Sequence, residues 1–321
     1  MRILLASPID TEALAILQQR HDVVSCIGAS QEQLRERIRD REILIFRSGV
    51  EISGELMAEA PGLRLLIRAG SGLDNIDLDY LRTHGLELQR IPQPGARAVA
   101  ELAFGLMLAL SRQILVADRL LREGVWAKHR LTGHLLTSKQ LGIVGLGNIG
   151  SLLANMGLAW NMRVTGCVEH PSPERAAAFA SQGIQLADLD TVLASADYLS
   201  VCVPLKDSTC KLIGREELAM LKPGSYVLNM ARGGIIDEAA LSEVLRQGSL
   251  AGAALDVHQV EGGGAISPLA DLPNVVLTPH IGAMTIDSQR EIGRRIIGIV
   301  DTFAVSGSTP DGQARETGLP L

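Results

Sequence analysis

Short β-branched runs alternate with helical ones over the first part of the chain: RILLA, TEALAILQQR, DVVSCI, QEQLRERI and EILIF, then LRLLI and LELQRI. Apolar runs too short to be helices, separated by amphipathic stretches, predict a parallel sheet with helices on both faces. Ser30 followed by Gln33 has the spacing of a capping box and predicts a helix start. Pro92, Pro94 and Gly95 interrupt the pattern and predict a boundary. Residues 99–123 are continuously compatible with one helix, and 102–110 are apolar on nearly every face. Such a stretch is expected to be packed on all sides, against another domain or a second subunit.

A second alternation begins at LGIVGLGNIG and continues through RVTGCV, YLSVCV, SYVLNM, GAALDV and NVVLTP, with helix-like PERAAAFASQ and DEAALSEVLRQ between them. Near-continuous apolar strands of this kind belong to a sheet buried on both faces. After Pro279 one more amphipathic helix is predicted over 286–303, and the polar segment SGSTPDGQARETGLPL that follows has the composition of a disordered tail. The chain therefore divides into 1–94, 95–283, and a returning segment with its tail, 284–321.

At 321 residues the chain is long for a single core, and 46% hydrophobic with 21% charged residues is ordinary globular composition. A net charge of −6, without a Lys/Arg cluster interleaved with aromatics, gives no reason to expect nucleic acid. A small anionic substrate would then need a locally basic pocket. The N-terminal MRILLASPID suits a first strand better than a signal peptide, and no stretch reads as long enough to span a membrane. Cys26, Cys167, Cys202 and Cys210 show no CxxC spacing. They suit free thiols in a reducing cytoplasm better than disulfides or zinc, and no metal site is expected.

Candidate chemistry starts at Gly145, Gly147 and Gly150, which with Asn148 and Ile149 form GLGNIG between the strand LGIV and a helical run. The first glycine serves a tight turn, the second lets a pyrophosphate approach the backbone, and the third lets helix and strand pack closely. The helix N-terminus offers free N–H groups to the phosphates. Alone the triplet is weak. Its strand–helix context, and Glu169 nineteen positions past Gly150 beside the next strand, make it a strong dinucleotide signature.

With these residues in view the sequence resembles the D-isomer-specific 2-hydroxyacid dehydrogenase family, to which phosphoglycerate dehydrogenase and hydroxypyruvate reductase belong. The resemblance rests on IRAGSGLDNIDL (67–78), VAELAFGLML (99–108), GIVGLGNIG (142–150), NMARGGIID (229–237), ALDVHQVE (254–261) and TPHIGAMT (278–285). It implies an α/β fold of two doubly wound parallel-sheet domains, a Rossmann cofactor domain inserted into a flavodoxin-like substrate domain. It also implies hydride transfer between a nicotinamide cofactor and a small D-2-hydroxy or 2-keto acid such as glyoxylate, hydroxypyruvate or a phosphoglycerate-like acid. A homodimer paired through the cofactor domain is implied too.

The family's catalytic arginine, glutamate and histidine fall on Arg232, Glu261 and His280. A guanidinium can hold a carboxylate bidentately, and an imidazole can give a proton to the keto oxygen and take it back. A carboxylate beside the imidazole would orient it and favour its charged form. Taken alone, Arg232 would equally make a surface salt bridge, His280 a turn and Glu261 a solvated loop. Asp256 matches the residue that bonds the nicotinamide carboxamide, although an acid at a strand end also caps helices. Ser71 and Gly72 of the AGSG turn are expected to offer N–H groups to the substrate carboxylate, with Arg47 adding positive potential. NAD is the expected cofactor, with NADP not excluded: Val168 stands where NAD-using relatives carry aspartate, and Glu169 is expected to take over its bonds to the ribose.

The sequence departs from the family pattern at Cys202, where histidine is usual, at Arg90, and at Gly262, Gly263 and Gly264, which replace a proline after the glutamate. Two other functions remain open at this point: a cofactor-sensing binding protein of the corepressor kind, and a formate or phosphite dehydrogenase.

Overall fold

The computed structural model describes residues 1–264 and 266–306, which form two units: Met1–Gly95 with the segment from Met284 onward, and Ala96–Ala283. The polar tail from Gly307, with its expected disorder, lies outside the described residues.

The first unit runs β1 (Arg2–Leu5), α1 (Thr11–Arg20), β2 (Asp22–Ser25), α2 (Gln31–Ile38), β3 (Ile43–Phe46), α3 (Gly54–Ala58), β4 (Leu65–Arg68), α4 (Leu78–Thr83) and β5 (Glu87–Arg90). Its five parallel strands take the order β2-β1-β3-β4-β5, the flavodoxin-like arrangement. Alternate strand residues feed opposite faces. Ile3, Leu5, Ile43 and Ile45 pack on one side with Leu17, whereas Leu4, Leu44 and Phe46 pack on the other with Leu34 and Ile38. This two-sided burial is why the strands read as unbroken apolar runs. The capping box at Ser30 forms, with Gln33 N–H donating to Ser30 Oγ and Ser30 N–H to Gln33 Oε1.

The second unit contains most of α5 (Gln93–Ser111), then α6 (Ile114–Arg122), β6 (Gln140–Val144), α7 (Asn148–Ala159), β7 (Arg163–Cys167), α8 (Pro173–Ser181), β8 (Ile184–Leu186), α9 (Leu189–Ser195), β9 (Tyr198–Val201), α10 (Arg215–Met220), β10 (Tyr226–Asn229), α11 (Glu238–Arg246), β11 (Gly252–Leu255) and β12 (Val275–Leu277). Seven parallel strands lie in the order β12-β11-β10-β9-β6-β7-β8, a Rossmann sheet with one strand added. The last helix, α12 (Ile286–Ser306), belongs to the first unit, where Ile292, Ile296 and Val300 at four-residue spacing join Leu17 in the core.

The proline-rich boundary coincides with the division of the chain after Gly95, although it falls inside a helix: α5 starts at Gln93 and runs through Pro94 and Gly95, because the first turn of a helix tolerates a residue without an N–H. Three local expectations change. The single helix expected over 99–123 is two. It ends at Ser111, whose hydroxyl donates to His134 O at 2.6 Å, and restarts after Gln113, held at φ +51°. Nor is α5 covered all round within the chain, since Glu101 and Gly105 are exposed. By length and composition α5 could also cross a membrane, contrary to the expectation that no stretch could, because the apolar character extends beyond 102–110. Half of its apolar window is buried, with Ala100, Ala103, Met107 and Leu110 in the core.

Candidate active site

β6 is flanked by β9 on one side and β7 on the other, so its carboxyl end is the point where the strand order reverses. Open α/β sheets bind ligands at such points. Gly145, the first residue beyond β6, adopts φ +101°, and a Cβ there would come 2.7 Å from Val203 Cγ1. A Cβ on Gly150 would lie 2.1 Å from the Gly145 carbonyl oxygen. Gly147 differs, since a Cβ would meet nothing within 4 Å. The outer glycines are therefore required by the chain's own packing, and the middle one borders open space. Gly147 is also the N-cap of α7 and supplies no side-chain acceptor, which leaves the N–H groups of the turn around Asn148 and Ile149 for an external anion. This cradle fits a dinucleotide pyrophosphate.

Beside it opens a cavity of about 730 Å³, within the usual range for small-molecule sites. Val168, Pro171, Ala187, Val203 and Leu212 make its walls largely apolar, as a purine ring requires, and Glu169 stands at its edge. Glu169 Oε2 accepts a hydrogen bond from Lys206 Nζ at 2.8 Å. That bond holds the Glu169 carboxyl below its ordinary range. Sequence reasoning missed Lys206, and no local pattern links two residues on different connections. Cys202 keeps some exposure as a residue, yet burial pushes its thiol up to about 11. It packs against the apolar core that α5, β6 and α7 share.

The catalytic candidates sit on loops beyond β10, β11 and β12. Asn229, fully buried at the end of β10, accepts from Ala231 N–H at 3.1 Å and donates to Arg232 O at 3.0 Å, folding the strand end into the turn that carries Arg232. The next residue, Gly233, touches the following loop so closely that a Cβ would fall 1.8 Å from His258 O. His258 N–H donates to Glu261 Oε1 at 3.2 Å, and Glu261 Oε2 meets His280 Nδ1 at 2.8 Å. Burial would raise the Glu261 carboxyl, but the bond and charge of His280 outweigh it and hold the group below its ordinary value. The structure thus joins Glu261 and His280 directly, and brings in Arg232 through the contact of Gly233 with His258.

Asp256 is 2% exposed, and its carboxylate fixes the His280 loop. Oδ1 accepts from Thr278 Oγ1 at 2.6 Å and Ile281 N–H at 2.9 Å, and Oδ2 from Gly282 N–H at 2.7 Å. His280, at φ +55°, is held between these anchors. A carboxylate has about four acceptor positions, and this loop takes three of those on Asp256. Two further residues escaped the sequence analysis. His258 Nε2 donates to Thr278 O at 2.9 Å, and buried Glu238 accepts from Gln259 N–H at 2.6 Å. Both brace the loop that bears Glu261.

Ser71, Gly72 and Arg47 lie in the first unit. Ser71 is exposed, and Arg68 Nε donates to Gly72 O at 2.9 Å. Arg47 donates to Gln289 Oε1 at 2.6 Å, and burial lowers its pKa.

Residues 104–282 match the family model described as D-isomer specific 2-hydroxyacid dehydrogenase, NAD binding domain. The chain is 37% identical to hydroxypyruvate reductase from Thermotoga maritima over 299 residues, 92% of this chain and 96% of that protein. It is also 37% identical to D-3-phosphoglycerate dehydrogenase from Methanocaldococcus jannaschii over 91% of its own length, but spans only 55% of that relative. The crystal structure of a glyoxylate reductase from Paecilomyes thermophila superposes with a TM-score of 0.85 at 28% identity, covering 96% of each chain.

Proposed function

Since the chain belongs to the D-isomer-specific 2-hydroxyacid dehydrogenase family and carries its NAD-binding domain, we propose that it reduces a small 2-keto acid, or oxidises the corresponding D-2-hydroxy acid. The observation that carries the proposal is the His280–Glu261 pair at 2.8 Å, on a loop that buried Asp256 holds in place. With Nδ1 committed to Glu261, the imidazole presents Nε2 to the substrate. In the reductive direction Nε2 gives its proton to the keto oxygen, and in the oxidative direction it takes the proton back. Arg232 holds the substrate carboxylate and draws charge onto the adjacent oxygen. The bound nicotinamide supplies or accepts the hydride.

Turnover of glyoxylate, hydroxypyruvate, pyruvate and longer 2-keto acids, each with NADH and NADPH, tests this function. Formate and phosphite serve as controls for the neighbouring chemistry. Absence of turnover with every 2-keto acid would refute it. NAD is the proposed preference, with Glu169 accepting from the ribose hydroxyls and Asp256 from the carboxamide. A separate proposal gives Ser71, Gly72 and Arg47 a part in binding the substrate, which a raised KM in Arg47→Ala would support.

The same reading takes the protein to be a cytoplasmic homodimer. Free cysteines suit a reducing compartment. For the dimer the supporting surface is α6 and the segment after it, where Ile114, Leu115, Leu121 and Trp126 are exposed and no residue of α6 is buried. An apolar stripe of this kind, facing away from its own core, marks an interaction surface.

A further inference from the structure

We propose that Lys206 sets the breadth of cofactor choice: by pairing with Glu169 at the adenosine end of the cavity it lets the protein accept a ribose 2′-phosphate as well as a 2′-hydroxyl. The proposal rests on the dehydrogenase function above and concerns which dinucleotide that site admits.

Glu169 lines the cavity just beyond β7, and the 203–212 segment forms part of the cavity wall through Val203, Pro204, Ser208, Thr209 and Leu212. Lys206 lies in that segment and reaches Glu169 with Nζ at 2.8 Å. A bare carboxylate here accepts hydrogen bonds from two ribose hydroxyls and repels a phosphate of nearly two negative charges. An ammonium on the same carboxylate cancels that repulsion. The geometry also leaves the ammonium free to change partner. Its backbone is fixed, with Lys206 N–H donating to Thr209 Oγ1 at 2.8 Å and Thr209 Oγ1 donating to Pro204 O at 2.7 Å. Its side chain is a flexible stem, and both partners are about half exposed, at 49% and 54%. An exposed pair of this kind holds weakly, so a phosphate of higher charge can take the ammonium from Glu169. Arg175, the next arginine or lysine along the chain past Glu169, instead donates from Nη1 to His170 O at 3.2 Å and steadies the turn.

Two states follow. With NADH, Lys206 stays on Glu169 and the carboxylate holds the ribose. With NADPH, Lys206 moves to the 2′-phosphate.

Equilibrium titration of NADH and NADPH by nicotinamide fluorescence, on the full chain without substrate, reads this directly in wild type, Lys206→Gln, Lys206→Arg and Glu169→Gln. Lys206→Gln is expected to raise the Kd for NADPH about tenfold and that for NADH less than about threefold, the difference one charge-assisted contact makes. Lys206→Arg should restore NADPH binding. Glu169→Gln should tighten NADPH and loosen NADH. Equal changes for both cofactors in Lys206→Gln, or an unmoved ratio, would overturn the role of Lys206 while leaving the dehydrogenase function intact. A wild type that binds neither dinucleotide would overturn that function as well.

Discussion

His280 Nδ1 and Glu261 Oε2 lie 2.8 Å apart, on separate loops beyond neighbouring strands β12 and β11. The contact sets the direction in which the imidazole faces, because the nitrogen that binds the carboxylate cannot also serve the substrate. His280→Ala and Arg232→Ala should each lower turnover at least ~100-fold, the scale of a lost proton donor or electrostatic clamp, with the melting temperature preserved. Steady-state kinetics with a single keto acid checks this. Near-wild-type turnover in either variant would remove that residue from the site.

The glycines of the phosphate loop should separate by experiment. Gly150→Ala drives a Cβ to 2.1 Å from a backbone oxygen, so the strand–helix packing must give way. It should lower the melting temperature by several degrees, the effect of overpacking by about 1–3 kcal/mol. At Gly147 a Cβ meets no protein atom within 4 Å, so Gly147→Val should leave melting nearly unchanged while loosening NADH about tenfold, because the side chain extends into the path of the phosphates. If Gly147→Val bound NADH like wild type, the pyrophosphate would not sit on this turn.

Asp197 offers a pH test of stability. Burial would raise its carboxyl, but the Gln140 N–H at 2.7 Å and Lys222 Nζ at 3.0 Å hold it below its ordinary value. A group whose folded pKa is depressed contributes stability above its unfolded pKa of about 3.9 and loses it as pH falls through the lower folded value. Asp197→Asn should therefore be less stable than wild type by about 1 kcal/mol at neutral pH, a value discounted for partial exposure. The two unfolding curves should converge once the pH has fallen below that folded value. A constant gap across that range would mean the loss is steric.

Light scattering at micromolar concentration should give twice the monomer mass, and Leu115→Glu should reduce it to a monomer, since Leu115 is 52% exposed on a helix with no buried residue. A wild type that scatters as a monomer would leave the α6 stripe without a partner copy.

The sequence by itself determined much of this protein. Unbroken apolar runs alternating with amphipathic stretches marked most of the strands and helices, because a strand buried on both faces must be apolar at nearly every position, as RILL and ILIF are. The glycine loop was legible for a similar reason: its demands are local, a turn, an open approach and a close crossing within six residues. The resemblance carried by six short blocks then pointed to Arg232, Glu261 and His280. Short β8 escaped, since three residues, IQL, carry too little pattern. So did the break at Gln113, which follows from Ser111 bonding to His134, 23 positions away.

Only the tertiary structure decided how the site is held. Asp256 lies 22 to 26 positions from the groups it binds, Glu238 braces a loop 21 positions on, and Lys206 meets Glu169 across 37. Each contact is made by loops and helix starts that a parallel sheet gathers at the carboxyl ends of its strands. The strand order that gathers them is set by packing of the whole sheet, so no local period in the chain records it.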